Sequence, residues 1–345
     1  FLAGFNKSGE NMKIVSYPDN LRKNLISKFN TMLEEGLVAE GKYYSAEDNY
    51  ITNKKCVPVA TWGAAYITLL AYYKNVLNKR NVILQSNTMR GVYTSSKFMD
   101  MNVFVCDSSA IPGFLSMDMI ETKKLFEKLD KDGSLHKSVL VYSIIGGFLS
   151  KDYFEIESLC KDYKVPIIVD MAHGHYLSEI INSDYPDLAF SFYATKILPS
   201  GEGGLIALND KKKFDWIKKF LIYDRFDYSL EIGVNLRTNE LTSYFIYQLM
   251  NDATLKQYYR DKRVMIAEKY REECLDKDIN FLDYNSALDY NGYKFVIFDS
   301  FDEVKNKSKL LSKYGQTSPV FNFEIINKKP ILNHWCPPTY PSINM

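Results

Sequence analysis

From Cys56 onward, short apolar runs alternate with helix-length amphipathic runs, and this alternation restricts the fold more than any other feature of the sequence. Strands are expected at 57–60, 81–85, 103–106, 138–143, 165–169, 188–192 and 203–208. Helices are expected at 20–37, 63–73, 88–98, 117–129, 151–163 and 211–222, followed by a long, bent or broken stretch at 241–274. Strands joined through helices run mostly parallel and are covered on both faces. The fold class is therefore α/β. Residues 1–240 make a large domain with a mostly parallel, doubly wound sheet and an N-terminal helix. A smaller C-terminal α+β domain spans 241–345 and has a strand-like run at 293–298. In sheets of this kind, chemistry gathers at the carboxyl ends of the strands.

Charge removes two classes of partner. Lys plus Arg is 43 and Asp plus Glu is 42, a net charge of +1. That balance leaves no electrostatic footprint for nucleic acid or an anionic membrane surface. The longest uncharged run, 57–73, falls just short of a bilayer span and carries Thr61, Gly63 and Thr68, as befits a strand turning into a buried helix. The five cysteines are widely spaced, which points to reduced, buried thiols in a cytoplasmic protein. Residues 1–12 show no basic flank leading into an apolar stretch, so no leader pattern is read there.

Three segments carry the chemistry. Val165-Pro-Ile-Ile-Val-Asp170-Met-Ala-His173-Gly-His175 places Asp170 at a strand end with two of the four histidines close behind. Phe190-Ser191-Phe-Tyr-Ala-Thr195-Lys196 follows the next strand, and Gly201-Glu202-Gly203-Gly204 is a turn leading into another. Each has an ordinary alternative: a capping Asp, core histidines, a solvated Lys, a simple turn. Together they suit pyridoxal phosphate, which needs a Lys for its Schiff base and an acid beside its pyridine nitrogen. That Lys must be neutral to attack an aldehyde, so burial or a nearby positive charge must lower its pKa. Ser191 offers a hydroxyl for the cofactor phosphate.

With Gly233-Val-Asn235-Leu-Arg237, these segments resemble the DegT/DnrJ-type sugar aminotransferases over about residues 20–250, in both order and spacing. The resemblance implies the aspartate aminotransferase fold, known as PLP fold type I. By position it implies that Lys196 tethers the cofactor and moves the proton during transfer, with Asp170 against the pyridine nitrogen. It places His173 near the ring hydroxyl, Ser191 on the phosphate, and Asn235 on the phosphate of the neighbouring subunit's cofactor. The active unit is then a homodimer with shared sites, and Arg237 belongs to the same element as Asn235.

The sequence departs from the family at two points. The phosphate turn after the first strand reads Ala60-Thr61-Trp62-Gly63-Ala64, so Thr61, Trp62 and Gly63 become the expected contacts at a helix N-terminus. Met89 stands where an aromatic residue commonly stacks on the cofactor ring. The implied reaction moves an amino group from an amino acid, glutamate by expectation, to a keto group of a nucleotide-linked deoxysugar, passing through pyridoxamine phosphate. A smaller phosphorylated ketone is an alternative substrate. Family members that act as dehydratases carry His in place of the Lys. A reading of another class is a metal-dependent hydrolase in which Asp170, His173 and His175 bind zinc, although it leaves Lys196 and Gly-Glu-Gly-Gly without a role. A third is a catalytically silent, ligand-binding relative.

Overall fold

The computed structural model describes residues 15–45, 50–108 and 115–297. The expectations for 1–12, for Cys336 and for the C-terminal domain beyond 297 lie outside these residues. In chain order the strands are β1 (Lys55–Val59), β2 (Asn81–Gln85), β3 (Asn102–Cys106), β4 (Ser138–Ser143), β5 (Phe148–Leu149), β6 (Ile167–Asp170), β7 (Asp187–Ser191), β8 (Gly204–Leu208) and β9 (Asp289–Tyr290). The helices are α1 (Asp19–Glu35), α2 (Trp62–Asn75), α3 (Arg90–Phe98), α4 (Met119–Lys131), α5 (Tyr153–Asp162), α6 (Ser178–Ile181), α7 (Lys211–Leu221), α8 (Glu240–Asn251), α9 (Ala253–Leu255) and α10 (Lys262–Asp276), with a π-helical segment, Lys256–Asp261, before α10.

Seven strands form one sheet in the order β1-β8-β7-β6-β4-β2-β3. The pairs from β7 through β3 are parallel. β8 runs antiparallel to both of its neighbours, which turns β1 back into the direction of β7. The carboxyl ends of β1, β2, β4, β6 and β7 therefore share one edge. The chain order reverses at β2, which lies between β3 and β4, and crevices at such reversals are where sheets of this kind bind ligands.

Alternation along the strands sorts side chains onto two cores. Leu140, Tyr142, Ile167, Val169, Leu188 and Phe190 face one side, packed with Leu21 and Leu25 of α1, Phe126 of α4, Ile156 of α5 and Ile246 of α8. Val139, Val141, Ile168 and Ala189 face the other, beneath Tyr66, Leu69 and Leu70 of α2 and Phe214 and Ile217 of α7. Thr61, Asp118, Asp210 and Asn239 cap α2, α4, α7 and α8, each accepting a first-turn N–H.

The long stretch expected at 241–274 is broken. Asp252 leaves helical geometry with ψ 102°, and its carboxylate caps the next turn at Thr254. The strand-like run at 293–298 forms no named strand in its described part. Its Ile297 makes a single bridge to Phe281, and the short β5–β9 ladder joins Asp289 and Tyr290 to Phe148 and Leu149 instead. A third cluster, including Leu115, Ile145, Phe148, Cys274, Tyr290 and Phe295, fastens this C-terminal segment to the turn after β4. Among the described residues, no helix is long and apolar enough to cross a membrane.

Candidate active site

Asp170 ends β6, opposite Ser143 of β4 on one side and Ala189 of β7 on the other. Its carboxylate accepts the Ala172 N–H at 2.9 Å. Burial pushes the carboxyl up to about 6 from 3.8, against the Ala172 N–H, the Lys196 charge and the Trp62 indole, all of which lower it. The Trp62 Nε1–H lies near enough to favour the carboxylate, yet it is buried without a completed hydrogen bond. The carboxylate is thus held in a dry place and makes no salt bridge among the described residues.

Lys196 follows β7 in a turn pinned on several sides. Its N–H donates to Tyr193 O at 2.8 Å, and Ala194 N–H donates to Gly201 O at 3.0 Å. The Tyr293 hydroxyl donates to Thr195 O at 3.1 Å. The Nζ lies 5.9 Å over the Tyr293 ring. Desolvation lowers the amine's pKa below that of an ordinary lysine, and the Asp170 charge opposes the shift. The residue as a whole is nonetheless partly exposed.

His173 Nδ1 accepts the Gly146 N–H at 3.3 Å, which makes the neutral ring an Nε2–H donor. Burial and the charges of Lys196 and Lys294 hold its pKa well below the usual value. Ser191 ends β7, and its Oγ accepts the Tyr193 N–H at 3.4 Å, leaving its own proton to donate.

At the end of β1, Thr61 Oγ1 accepts the Ala64 N–H at 3.1 Å. The Trp62 and Gly63 N–H groups then open α2 without a partner inside the helix. Gly204 explains the glycine turn: a Cβ there would sit 2.3 Å from the Thr61 carbonyl oxygen, so only glycine lets β8 pass this turn. Met89 precedes α3, half exposed, with its Cε against Gly91 on the side near Trp62. Asn235 is exposed in a polar cleft of about 380 Å³ that it shares with Ala60, Glu202 and Arg237. Arg237 pairs with Glu40 at 2.6 Å.

The zinc arrangement is not present among the described residues, where no three His, Cys, Asp or Glu side chains converge. His175 turns away into the core between Phe190 and Phe192, with both ring nitrogens unpartnered.

Three contributors escaped the sequence reading. The Gly146-Gly147 turn was a readable signal, being a glycine pair just past a strand end. Asn291 and Tyr293 reach the site from about a hundred residues away or more, and nothing local marks them.

The donors suit a phosphorylated pyridine aldehyde. An amine whose pKa is lowered by burial stands near a desolvated carboxylate that makes no salt bridge among the described residues, with an imidazole N–H on the same loop as the carboxylate. Two hydroxyls and a helix N-terminus can take a phosphate.

A family model described as the DegT/DnrJ/EryC1/StrS aminotransferase family matches residues 19–311, well past the reach of the sequence motifs. No curated protein matches the sequence. Among solved structures, the chain is similar to Helicobacter pylori PseC, an aminotransferase involved in the biosynthesis of pseudoaminic acid. That match has a TM-score of 0.75 at 16% identity over 96% of this chain and 93% of that one. Bacillus subtilis NtdA, with bound cofactor PMP, matches with a TM-score of 0.75 at 14% identity over 97% and 82%. The sugar aminotransferase CalS13 from Micromonospora echinospora matches with a TM-score of 0.70 at 14% identity over 95% and 93%. At these identities the likeness is one of fold.

Proposed function

The chain belongs to the DegT/DnrJ/EryC1/StrS aminotransferase family, and from that premise we propose that it uses pyridoxal phosphate to move an amino group from glutamate to the keto group of a nucleotide-linked deoxysugar. The observation that carries the reading is the pairing of Lys196, whose amine is lowered by burial, with Asp170, whose carboxyl is raised by burial, at adjoining strand ends. When bound, pyridoxal phosphate supplies a ring that accepts the electrons released as a substrate C–H bond breaks.

The residues divide the remaining work. Lys196 Nζ would hold the cofactor covalently and, once free, would carry the proton from the donor carbon. Asp170 would keep the ring nitrogen protonated. His173 would offer its Nε2–H to the ring hydroxyl. Ser191, Thr61 and the first N–H groups of α2 would hold the phosphate, with Trp62 and Met89 bordering the ring. A lysine at 196, where dehydratases of this kind have histidine, favours amine transfer. The sugar assignment is supported by the similar solved structures of a sugar aminotransferase, CalS13, and of DesI in the presence of its TDP-sugar product.

The active unit in this reading is a homodimer in which Asn235 reaches the partner's cofactor phosphate. Support comes from the exposed apolar strap that leads to Asn235, where Phe226 is 71% and Tyr228 84% exposed. The test is the visible spectrum of the purified protein with pyridoxal phosphate, before and after glutamate. The expected result is a visible band that bleaches with glutamate and returns with a keto sugar nucleotide. Lys196→Ala should give neither change while unfolding at the same urea concentration. A band in Lys196→Ala equal to that of the wild type would overturn the assignment.

A further inference from the structure

The residues that align the reacting groups do not all come from the large sheet. Asn291 is fully buried. Its amide nitrogen donates to His173 O at 2.7 Å and His175 O at 2.8 Å, and its Oδ1 accepts the Tyr293 N–H at 3.0 Å. The turn after β4 is shaped to admit it: Gly147 has φ +80°, and a Cβ there would lie 1.8 Å from Asn291 Oδ1. Tyr293, thus anchored, packs its ring 4.5 Å from the His173 ring and sends its hydroxyl to the carbonyl of Thr195, the residue before Lys196.

We propose that Tyr293, anchored by Asn291, is a positioning residue that fixes the His173 ring through its own ring and the Lys196 turn through its hydroxyl. The two contacts tie the C-terminal segment to both sides of the site. His173, already held at Nδ1 by Gly146, is kept from turning by the Tyr293 ring. Lys196 is kept from swinging by a bond to the peptide just before it. The inference rests on the functional reading for what these groups do, but the geometry stands without it.

The charged and titratable groups facing His173 are Lys196 from the turn after β7, Lys294 from the C-terminal segment and His175 from its own loop. Both lysines disfavour the imidazolium, and burial disfavours it more. Opening the Tyr293 side to water therefore raises the His173 pKa towards 6.5 without reaching it.

The test uses the full chain with isotope-labelled histidine rings observed by NMR. The sequence has only four histidines, and His173→Gln identifies the signal. The rings are followed from about pH 5 to 8; in the wild type and in Tyr293→Phe, which keeps the ring, His173 should titrate well below an ordinary histidine. In Tyr293→Leu it should begin to titrate within that range; should this variant not fold, Tyr293→Met replaces it. Tyr293→Phe should instead lower kcat about 2- to 12-fold, the span of one net hydrogen bond, with KM for glutamate unchanged. A His173 that stays neutral without the ring overturns the first contact. An unchanged kcat in Tyr293→Phe overturns the second. The NMR arm is read without cofactor, so a wild-type protein that gives no visible band would sink the functional reading alone.

Discussion

Asp170 gives the most direct test of how burial prepares the site. Its carboxyl titrates at about 6 in the fold against 3.8 in the unfolded chain. Between those values the folded protein holds a proton that the unfolded chain has released, so stability falls as pH rises through the window. A shift of about two units corresponds to about 3 kcal/mol, present below pH 3.8 and lost above pH 6. Asp170→Asn removes this titration while keeping an oxygen for the Ala172 N–H. Any fixed cost of burying the amide is the same at every pH and cancels from the comparison.

The expected outcome is therefore a slope rather than a single value. In cofactor-free protein, the stability of Asp170→Asn relative to wild type should improve by about 3 kcal/mol across the whole window. About half of that falls between pH 5 and 8, where urea unfolding is readily followed. Saturating pyridoxal phosphate should reverse the trend, because the wild-type carboxylate then faces a protonated ring nitrogen and the amide does not. A difference in stability that stays constant from pH 5 to 8 would refute the claim that Asp170 is held charged at a cost. A reversal that fails to appear with cofactor would refute its role opposite the ring nitrogen.

Two further outcomes follow from the same geometry. Gly204→Ala drives a Cβ to 2.3 Å from the Thr61 carbonyl oxygen; it should cost about 1–3 kcal/mol in urea unfolding and weaken pyridoxal phosphate in an equilibrium titration, and unchanged affinity would detach this turn from the phosphate. Replacing both Phe226 and Tyr228 with Asp should yield monomers in sedimentation and weaken cofactor retention, whereas an intact dimer would show that the strap is not the interface.

What could be read without coordinates was whatever depends on local pattern. The β2 and β4 boundaries at 81–85 and 138–143 coincide with the expected runs, because a fully buried strand is a continuous apolar stretch ended by polar residues. Asp170 stands at a strand end as expected, since it follows such a run directly, whereas Ser191 closes β7 one residue before the expected run ends. The antiparallel course of β8 was not legible in the alternation of strands and helices, because β7 reaches it through a loop, 192–203, rather than a helix. Asn291 and Tyr293 were not legible either. Asn-Gly at 291–292 reads only as a turn, and the Asn291 bonds to His173 and His175 span 118 and 116 residues of chain. The run at 293–298 was read as a strand from its apolar character. In the described part that character serves the third core cluster and the Tyr293 contacts rather than a ladder.

The directions of the two buried shifts explain why these positions suit a cofactor better than they suit the empty protein. Burial moves Asp170 towards its neutral acid and Lys196 towards its neutral amine, while each charge opposes the shift in the other. Had they formed a close ion pair, the pair would have satisfied itself and offered a ligand little. No ion pair joins them among the described salt bridges, which involve other residues such as Lys213 with Asp187. The Asp170 charge is therefore free to be neutralised by a protonated ring nitrogen, and the Lys196 amine free to be consumed by a carbonyl. The price is carried by the empty protein, and the pH slope of Asp170→Asn measures it.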